Sequence, residues 1–248
     1  MANEFEGQVA LVTGVTGGIG YAVAKLLSSR GAQVVLGGRN GDKLEEIKRD
    51  IPGASVSVFD LGAAGSIDRA IDAIVKEKGR LDILAHVAGI YPASLVADLD
   101  DDYVGEMLAV NLQGAIRLCK AVSRQMRSQG FGAIVNVSSL ASEKPVPGLS
   151  VYAASKAGLD AFSKALAHEI APKVRVNIVA PGPTRTETVE ALMAADHTGA
   201  AANVTNEIPL GRLGESAEIA EAIAFMASNR ASFITGAVLH VNGGSLMS

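Results

Sequence analysis

The chain has 248 residues, 48% hydrophobic and 4% aromatic, with 27 glycines, no tryptophan and a formal charge of −4. That length suits one substantial core, so a single domain over 1–248 is expected, and the acidic balance gives no footprint for nucleic acid. A lone Cys119 excludes an internal disulfide and points to a reducing compartment; the acidic start at Met1 to Glu6 and the lack of a long apolar run argue against a secretory leader or a membrane span, so a cytoplasmic location is expected.

Val9 to Val12 is a short apolar run without alternation, as in a strand buried on both faces. It leads into Thr13-Gly14-Val15-Thr16-Gly17-Gly18-Ile19-Gly20 and then a helical stretch from Tyr21 to Ser29. Glycines between a strand and a helix let the backbone turn tightly and approach a pyrophosphate, whose charge faces free N–H groups at the positive helix end. The spacing through Gly14, Gly18 and Gly20 is G-x-x-x-G-x-G rather than G-x-G-x-x-G, and a plain flexible turn is the alternative.

Gln33 to Gly37 reads as the second strand, followed by Gly38-Arg39-Asn40. Dinucleotide folds place an acid here for the ribose 2′-OH or an Arg for a 2′-phosphate. This chain has Arg39 and no acid, so NADP(H) is expected over NAD(H); the competing view makes Arg39 the leader of a solvated helix. A third strand runs from Ser55 to Phe59 and ends at Asp60-Leu61, a helix spans 64–78, and a fourth strand from Leu81 to Val87 reaches Ala88-Gly89. Strands alternating with helices predict a Rossmann-type doubly wound parallel sheet, here of about seven strands with helices on both faces. Gly14, Arg39, Asp60, Gly89 and Ser139 all fall at carboxyl ends of strands, where such sheets bind ligands.

Residues 102–129 read as one long helix broken in polarity by Asn111, which either bends the helix and binds a water or is satisfied by its own helix. A fifth strand, Gly132 to Val137, ends at Ser138-Ser139. From Tyr152 the apolar positions Leu159, Phe162, Leu166 and Ile170 repeat every three or four residues until Pro172. Tyr152 and Lys156 are i and i+4, on one face and about 6 Å apart along the axis, so the ammonium is expected to lower the phenol pKa and make Tyr152 a general acid/base. A sixth strand, Val174 to Val179, precedes Pro181-Gly182-Pro183-Thr184-Arg185-Thr186. A helix over 216–227 and a strand, Val238 to Val241, close the fold.

Taken together, the Thr13 to Gly20 loop, Asp60-Leu61, Ala88-Gly89, Asn111, Ser139, Tyr152-x-x-x-Lys156 and Pro181-Gly182 resemble the short-chain dehydrogenases/reductases over nearly the whole chain. The resemblance implies four catalytic residues. Tyr152 would exchange the proton of the carbonyl oxygen, Lys156 would lower its pKa and hold the nicotinamide ribose, Ser139 would anchor the substrate oxygen, and Asn111 would position a relaying water. Ser139, thirteen residues before Tyr152, matches the family spacing better than Ser138. The resemblance further implies that Gly14, Thr16, Gly18, Ile19 and Gly20 border the cofactor, with Arg39, Asp60, Leu61, Ala88, Gly89, Pro181 and Gly182. Thr184 and Thr186 would orient the carboxamide. Nothing in the pattern calls for a metal.

Two departures stand out. The family's N-N-A-G is His86-Val87-Ala88-Gly89, with His86 read as a core histidine, and the loop position often basic in NADPH users is Gly17. Substrate contacts are expected from Tyr91 to Leu95, Ser142 to Ser150 and a variable loop or lid at about 186–210. The last holds Glu187, Glu190, Asp196 and Glu207 and no Lys or Arg between Thr186 and Leu210, which disfavours anionic phosphates; Val189, Leu192, Met193 and Ile208 would form a lid helix or core. An uncharged ketone or a 3-oxoacyl thioester fits, the chain resembling 3-oxoacyl-thioester reductases within the family. Arg124 and Arg127 are read as an acyl-carrier contact or a solvated helix end. The alternatives are an NAD-dependent secondary-alcohol dehydrogenase and a silent nicotinamide-binding regulator. Small residues along the Tyr152 helix suit a homo-oligomer, dimer or tetramer.

Overall fold

A computed structural model describes residues 3–63, 65–187, 189–190 and 205–247. Six parallel strands, β1 (Val9–Thr13), β2 (Gln33–Gly38), β3 (Ser55–Val58), β4 (Ile83–His86), β5 (Gly132–Val137) and β6 (Val174–Pro181), form one sheet with the last strand of the chain, Val238–Val241. The spatial order is β3-β2-β1-β4-β5-β6 and then that last strand; every pairing is parallel. The order reverses between β1 and β4, so the strand ends open a crevice there, as expected of a doubly wound sheet. Two short strands, β7 (Thr184–Arg185) and β8 (Gly214–Glu215), pair separately, which makes Val238–Val241 β9.

The central strands are mostly apolar because they are covered on both sides. Along β1, Ala10 and Val12 face one core with α1 (Gly18–Ser29) and the helix Ser216–Ala227. Val9 and Leu11 face the other, with α3 (Ser66–Lys78), α5 (Ala115–Gln129) and α6 (Ser150–Ile170). Each large side chain so buried contributes about 1.5–3 kcal/mol against exposure. A shorter α2 (Gly41–Lys48) follows β2, capped by the Asn40 side chain, which accepts from Lys43 N at 3.1 Å.

Two segments differ from the sequence reading. The expected strand from Leu81 begins at Ile83, because Leu81 is met by a side chain instead: Gln129 Nε2 donates to its carbonyl at 2.6 Å and Gln129 Oε1 accepts from its N–H at 3.3 Å. The expected helix over 102–129 is continuous in path but widens in the middle. α4 (Asp101–Leu108) passes into a π-helical segment, Ala109–Gly114, and then α5. A π turn of this kind is uncommon and often marks a functional site. Asn111 lies within it. Of the expected lid, 188 and 191–204 lie outside the described residues, and with them Leu192, Met193 and Asp196. No helix among the described residues is long and apolar enough to cross a membrane.

Candidate active site

A groove of about 600 Å³ opens over the carboxyl ends of β1, β2, β3 and β4. Its walls are the Thr13 to Gly20 turn, Gly37 to Asn40, Phe59 to Leu61, Val87 to Tyr91 and Thr186. Of the strand ends that looked convergent in the sequence, those at Gly14, Arg39, Asp60 and Gly89 line this one groove, and Ser139 does not. Gly14 has φ +73, and a Cβ there would stand 2.6 Å from Ala88 N; a Cβ on Gly20 would run into the Gly14 carbonyl oxygen. The turn thus tolerates no side chain at either position. α1 starts at Gly18 with no side-chain cap, so its first N–H groups point toward the groove without intrahelical partners. A backbone cradle without side chains, beside a positive helix end, fits the diphosphate of a nicotinamide dinucleotide.

At the far rim Arg39 is exposed and has no ion pair among the described residues, whereas neighbouring Lys43 pairs with Glu46 at 3.0 Å. Asn40 is committed to capping α2, which leaves Arg39 as the free group. Asp60 turns its carboxylate onto Gly62 N at 2.8 Å, so it shapes the β3 exit as well as lining the groove.

The four catalytic candidates meet just beyond the groove's inner end. Lys156, 3% exposed, donates from Nζ to the Val137 carbonyl at 2.9 Å and lies 5.8 Å from the Tyr152 ring centre. A Cβ on Gly89 would sit 3.3 Å from Lys156 Nζ and 3.2 Å from Asn111 Oδ1, so Gly89 is where groove and polar cluster touch. Ser139 caps the turn Leu140–Ser142, accepting from Ala141 N at 3.1 Å, which sets its hydroxyl at the end of β5 facing α6. Thr184 lies apart from the groove wall: it is buried and donates to the Gly182 carbonyl at 2.9 Å. Pro181 and Gly182 continue β6 below it, and only Thr186 of the two threonines reaches the groove.

Electrostatically the cluster differs from the spacing argument. Burial pushes Tyr152 above its ordinary 10; the Ser139 hydroxyl pulls it down and Tyr91 adds to the rise. Burial drives the Lys156 ammonium down to about 8, with Asp160 opposing. The i, i+4 spacing does bring the two onto one face, but their desolvation outweighs their mutual effect, which spacing cannot reveal.

Asn111 is not satisfied by its own helix alone: its amide reaches the loop after β4. Oδ1 accepts from Ile90 N at 2.8 Å, while Nδ2 donates to Ile90 O at 2.7 Å and approaches Ser155 Oγ at 3.3 Å and Met107 Sδ at 3.2 Å. Its amide is used to clamp the loop after β4. Two features of the cluster escaped the sequence reading: the place of Asp160, and the packing against Tyr152 of Tyr91, which was expected only as a substrate contact. Asp160 is 6% exposed and continues the Tyr152, Lys156 ladder by one more turn, its carboxyl raised by burial and lowered by Ser138, Ser142, Lys164 and Lys156. Tyr91 lies against Tyr152 with ring centres 6.1 Å apart. The Y-x-x-x-K-x-x-x-D spacing was the available signal for the first; nothing local signalled the second.

The family profile described as enoyl-(acyl carrier protein) reductase matches residues 14–245. The chain belongs to the short-chain dehydrogenase/reductase family. It is an oxidoreductase of that family, similar over 246 residues at 41% identity to the 3-oxoacyl-acyl-carrier-protein reductase FabG of Salmonella typhimurium, covering 98% of this chain and 99% of that one. A solved short-chain dehydrogenase/reductase family protein superposes with TM-score 0.85 at 39% identity, covering 97% of each chain. A structure solved as a ribose-5-phosphate isomerase of Brucella melitensis 16M superposes with TM-score 0.93 at 33% identity, over 100% of this chain and 95% of that one. The short-chain dehydrogenase/reductase scaffold thus carries proteins of different names, and the chemistry must be argued from the cluster around Tyr152.

Proposed function

We propose that this chain is an NADP(H)-preferring reductase of ketones, including 3-oxoacyl thioesters such as the one named for its Salmonella relative. The carrying observation is the meeting of the Tyr152 phenol, the Ser139 hydroxyl and the buried Lys156 ammonium at the inner end of a glycine-floored groove whose outer end presents an unpaired Arg39. Reduced nicotinamide, when bound, supplies a hydride to the carbonyl carbon. Ser139 Oγ donates to the carbonyl oxygen, where charge develops. Tyr152 Oη delivers the proton to that oxygen, and a phenol held above its usual pKa starts fully protonated, as reduction requires. Lys156 holds the ribose hydroxyls and supports the phenolate left behind. Because the Asn111 amide is spent on Ile90 and Ser155, any relaying water falls to backbone carbonyls in the π segment.

Gly14, Thr16, Gly18, Ile19, Gly20, Asp60, Leu61, Ala88 and Gly89 hold the cofactor in this reading, with Thr186 above it. Arg124 pairs with Asp72 at 3.2 Å and Asp68 at 3.7 Å on α3, which favours a solvated helix end over a carrier contact. The exposed small residues Ala157, Ala161 and Ala165 on α6 leave a flat face suited to a homo-oligomer. A cytoplasmic location accords with the lone buried Cys119.

The test is a panel of ketones and a 3-oxoacyl thioester assayed with NADPH and NADH. NADPH-dependent reduction that drops about 10²–10⁴-fold in Tyr152→Phe is expected; equal turnover by the variant would remove Tyr152 from the chemistry, and an NADH preference would overturn the cofactor assignment.

A further inference from the structure

Resting on the reductase reading, we propose that Tyr91 is a specificity-determining wall: an aromatic plate fixed beside Tyr152 that favours carbonyl compounds bearing a flat group, aryl or conjugated, directly on the carbonyl carbon. The Tyr91 and Tyr152 rings are 6.1 Å apart at a tilt of 58°. Tyr91 is 37% exposed and lines the groove at the end nearest Tyr152, so one face of its ring is free toward the space a substrate must enter to reach the phenol. Its own hydroxyl makes no hydrogen bond among the described residues, which leaves the ring as its working part.

The plate is held from both sides. The preceding Ile90 has both backbone groups bound to the Asn111 amide, at 2.8 and 2.7 Å. The following Pro92 accepts at its carbonyl from the Tyr103 hydroxyl at 2.6 Å and has its φ fixed by its ring. Ser94 N then donates to Gly148 O at 2.9 Å, tying this loop to the one that leads into α6. A wall fixed at three points cannot yield to a puckered group, whereas a second ring finds the offset or edge-to-face contact that aromatic pairs favour at about 4.5–7 Å.

The experiment compares acetophenone with cyclohexyl methyl ketone, which share a carbon skeleton and differ in flatness, using NADPH and wild type, Tyr91→Phe, Tyr91→Leu and Tyr91→Ala, each checked by circular dichroism. The wild type should favour acetophenone about five- to ten-fold in kcat/KM. Tyr91→Phe should keep that ratio, and Tyr91→Leu and Tyr91→Ala should bring it near one, mainly through a raised KM for acetophenone. Tyr152→Phe should remove turnover of both, placing them in the same site. A ratio near one in the wild type, or a ratio that survives in Tyr91→Leu or Tyr91→Ala, overturns the assignment while leaving the reductase reading intact if ketones or thioesters are still reduced. Failure to reduce any ketone or 3-oxoacyl thioester overturns both.

Discussion

His86 stands where the family's first asparagine is usual, at 1% exposure on β4. Thr13 Oγ1 lies 2.8 Å from its Nδ1 and accepts from Ala88 N at 3.3 Å, while Nε2 has no partner among the described residues. Burial, aided by the nearby Lys156 cation, pushes His86 from 6.5 down to about 3. Between those two values the unfolded chain binds a proton that the folded chain refuses. Stability is therefore unaffected above 6.5 and falls as pH drops toward 3, by several kcal/mol at the acid end. His86→Asn should flatten that slope in urea unfolding followed from pH 7 to pH 4; a variant midpoint that falls with acid as steeply as wild type would count against this account. The Arg39 prediction separates binding from folding. Arg39→Ala should raise KM for NADPH about ten- to a hundred-fold, with NADH hardly affected and the melting temperature unchanged, since the side chain is exposed and has no partner among the described residues. Equal losses with both cofactors would contradict it. Its residue type at a strand end marked Arg39 in the sequence, and the i, i+4 spacing marked Tyr152; the environments of His86 and Lys156 were not readable, because desolvation depends on what the rest of the fold places around them.

Among the elements, the α4, π and α5 path shows what periodicity can and cannot give. The apolar spacing predicts a helix over 102–129 and cannot register one widened turn, because the residues on either side keep their faces. The signal was Asn111 in an apolar run, and its partner, Ile90, lies 21 residues away. Asn111→Ala leaves the half-buried Ile90 N–H and C=O without their partners, at up to about 1–3 kcal/mol for each. Thermal melts should show a loss of a few kcal/mol, hydrogen exchange at the Ile90 amide should quicken, and kcat should fall as Tyr91 and Gly89 lose their anchor. Unchanged exchange at Ile90 would mean that the clamp does not hold the loop. By contrast β5, β9 and the helix Ser216–Ala227 were legible to the residue, because turn-forming residues punctuate them: Gly130 before β5, Gly236 before β9, and a capping box of Glu215 and Glu218 at the helix start.

For the molecule as a whole, alternation of strand and helix made the layered architecture readable, and strand-end chemistry located the groove. What stayed hidden was the third dimension of the substrate side, where loops from distant parts of the chain meet: Ser94 with Gly148, Lys144 with Ser245, Leu210 with Gly243. No local pattern encodes such pairings. The sheet order carries one more consequence. β1, β2 and β3 reach the second half of the sheet through β4, which lies between β1 and β5. A chain severed between α5 and β5 would divide the cradle for the dinucleotide from the proton donor, and each fragment would carry a bare, apolar, matching edge. Separately the fragments should be insoluble; coexpressed, they should reassociate and recover turnover, making this scaffold a natural split reporter. Soluble single fragments, or a mixture without activity, would show that the halves do not depend on β4 in this way.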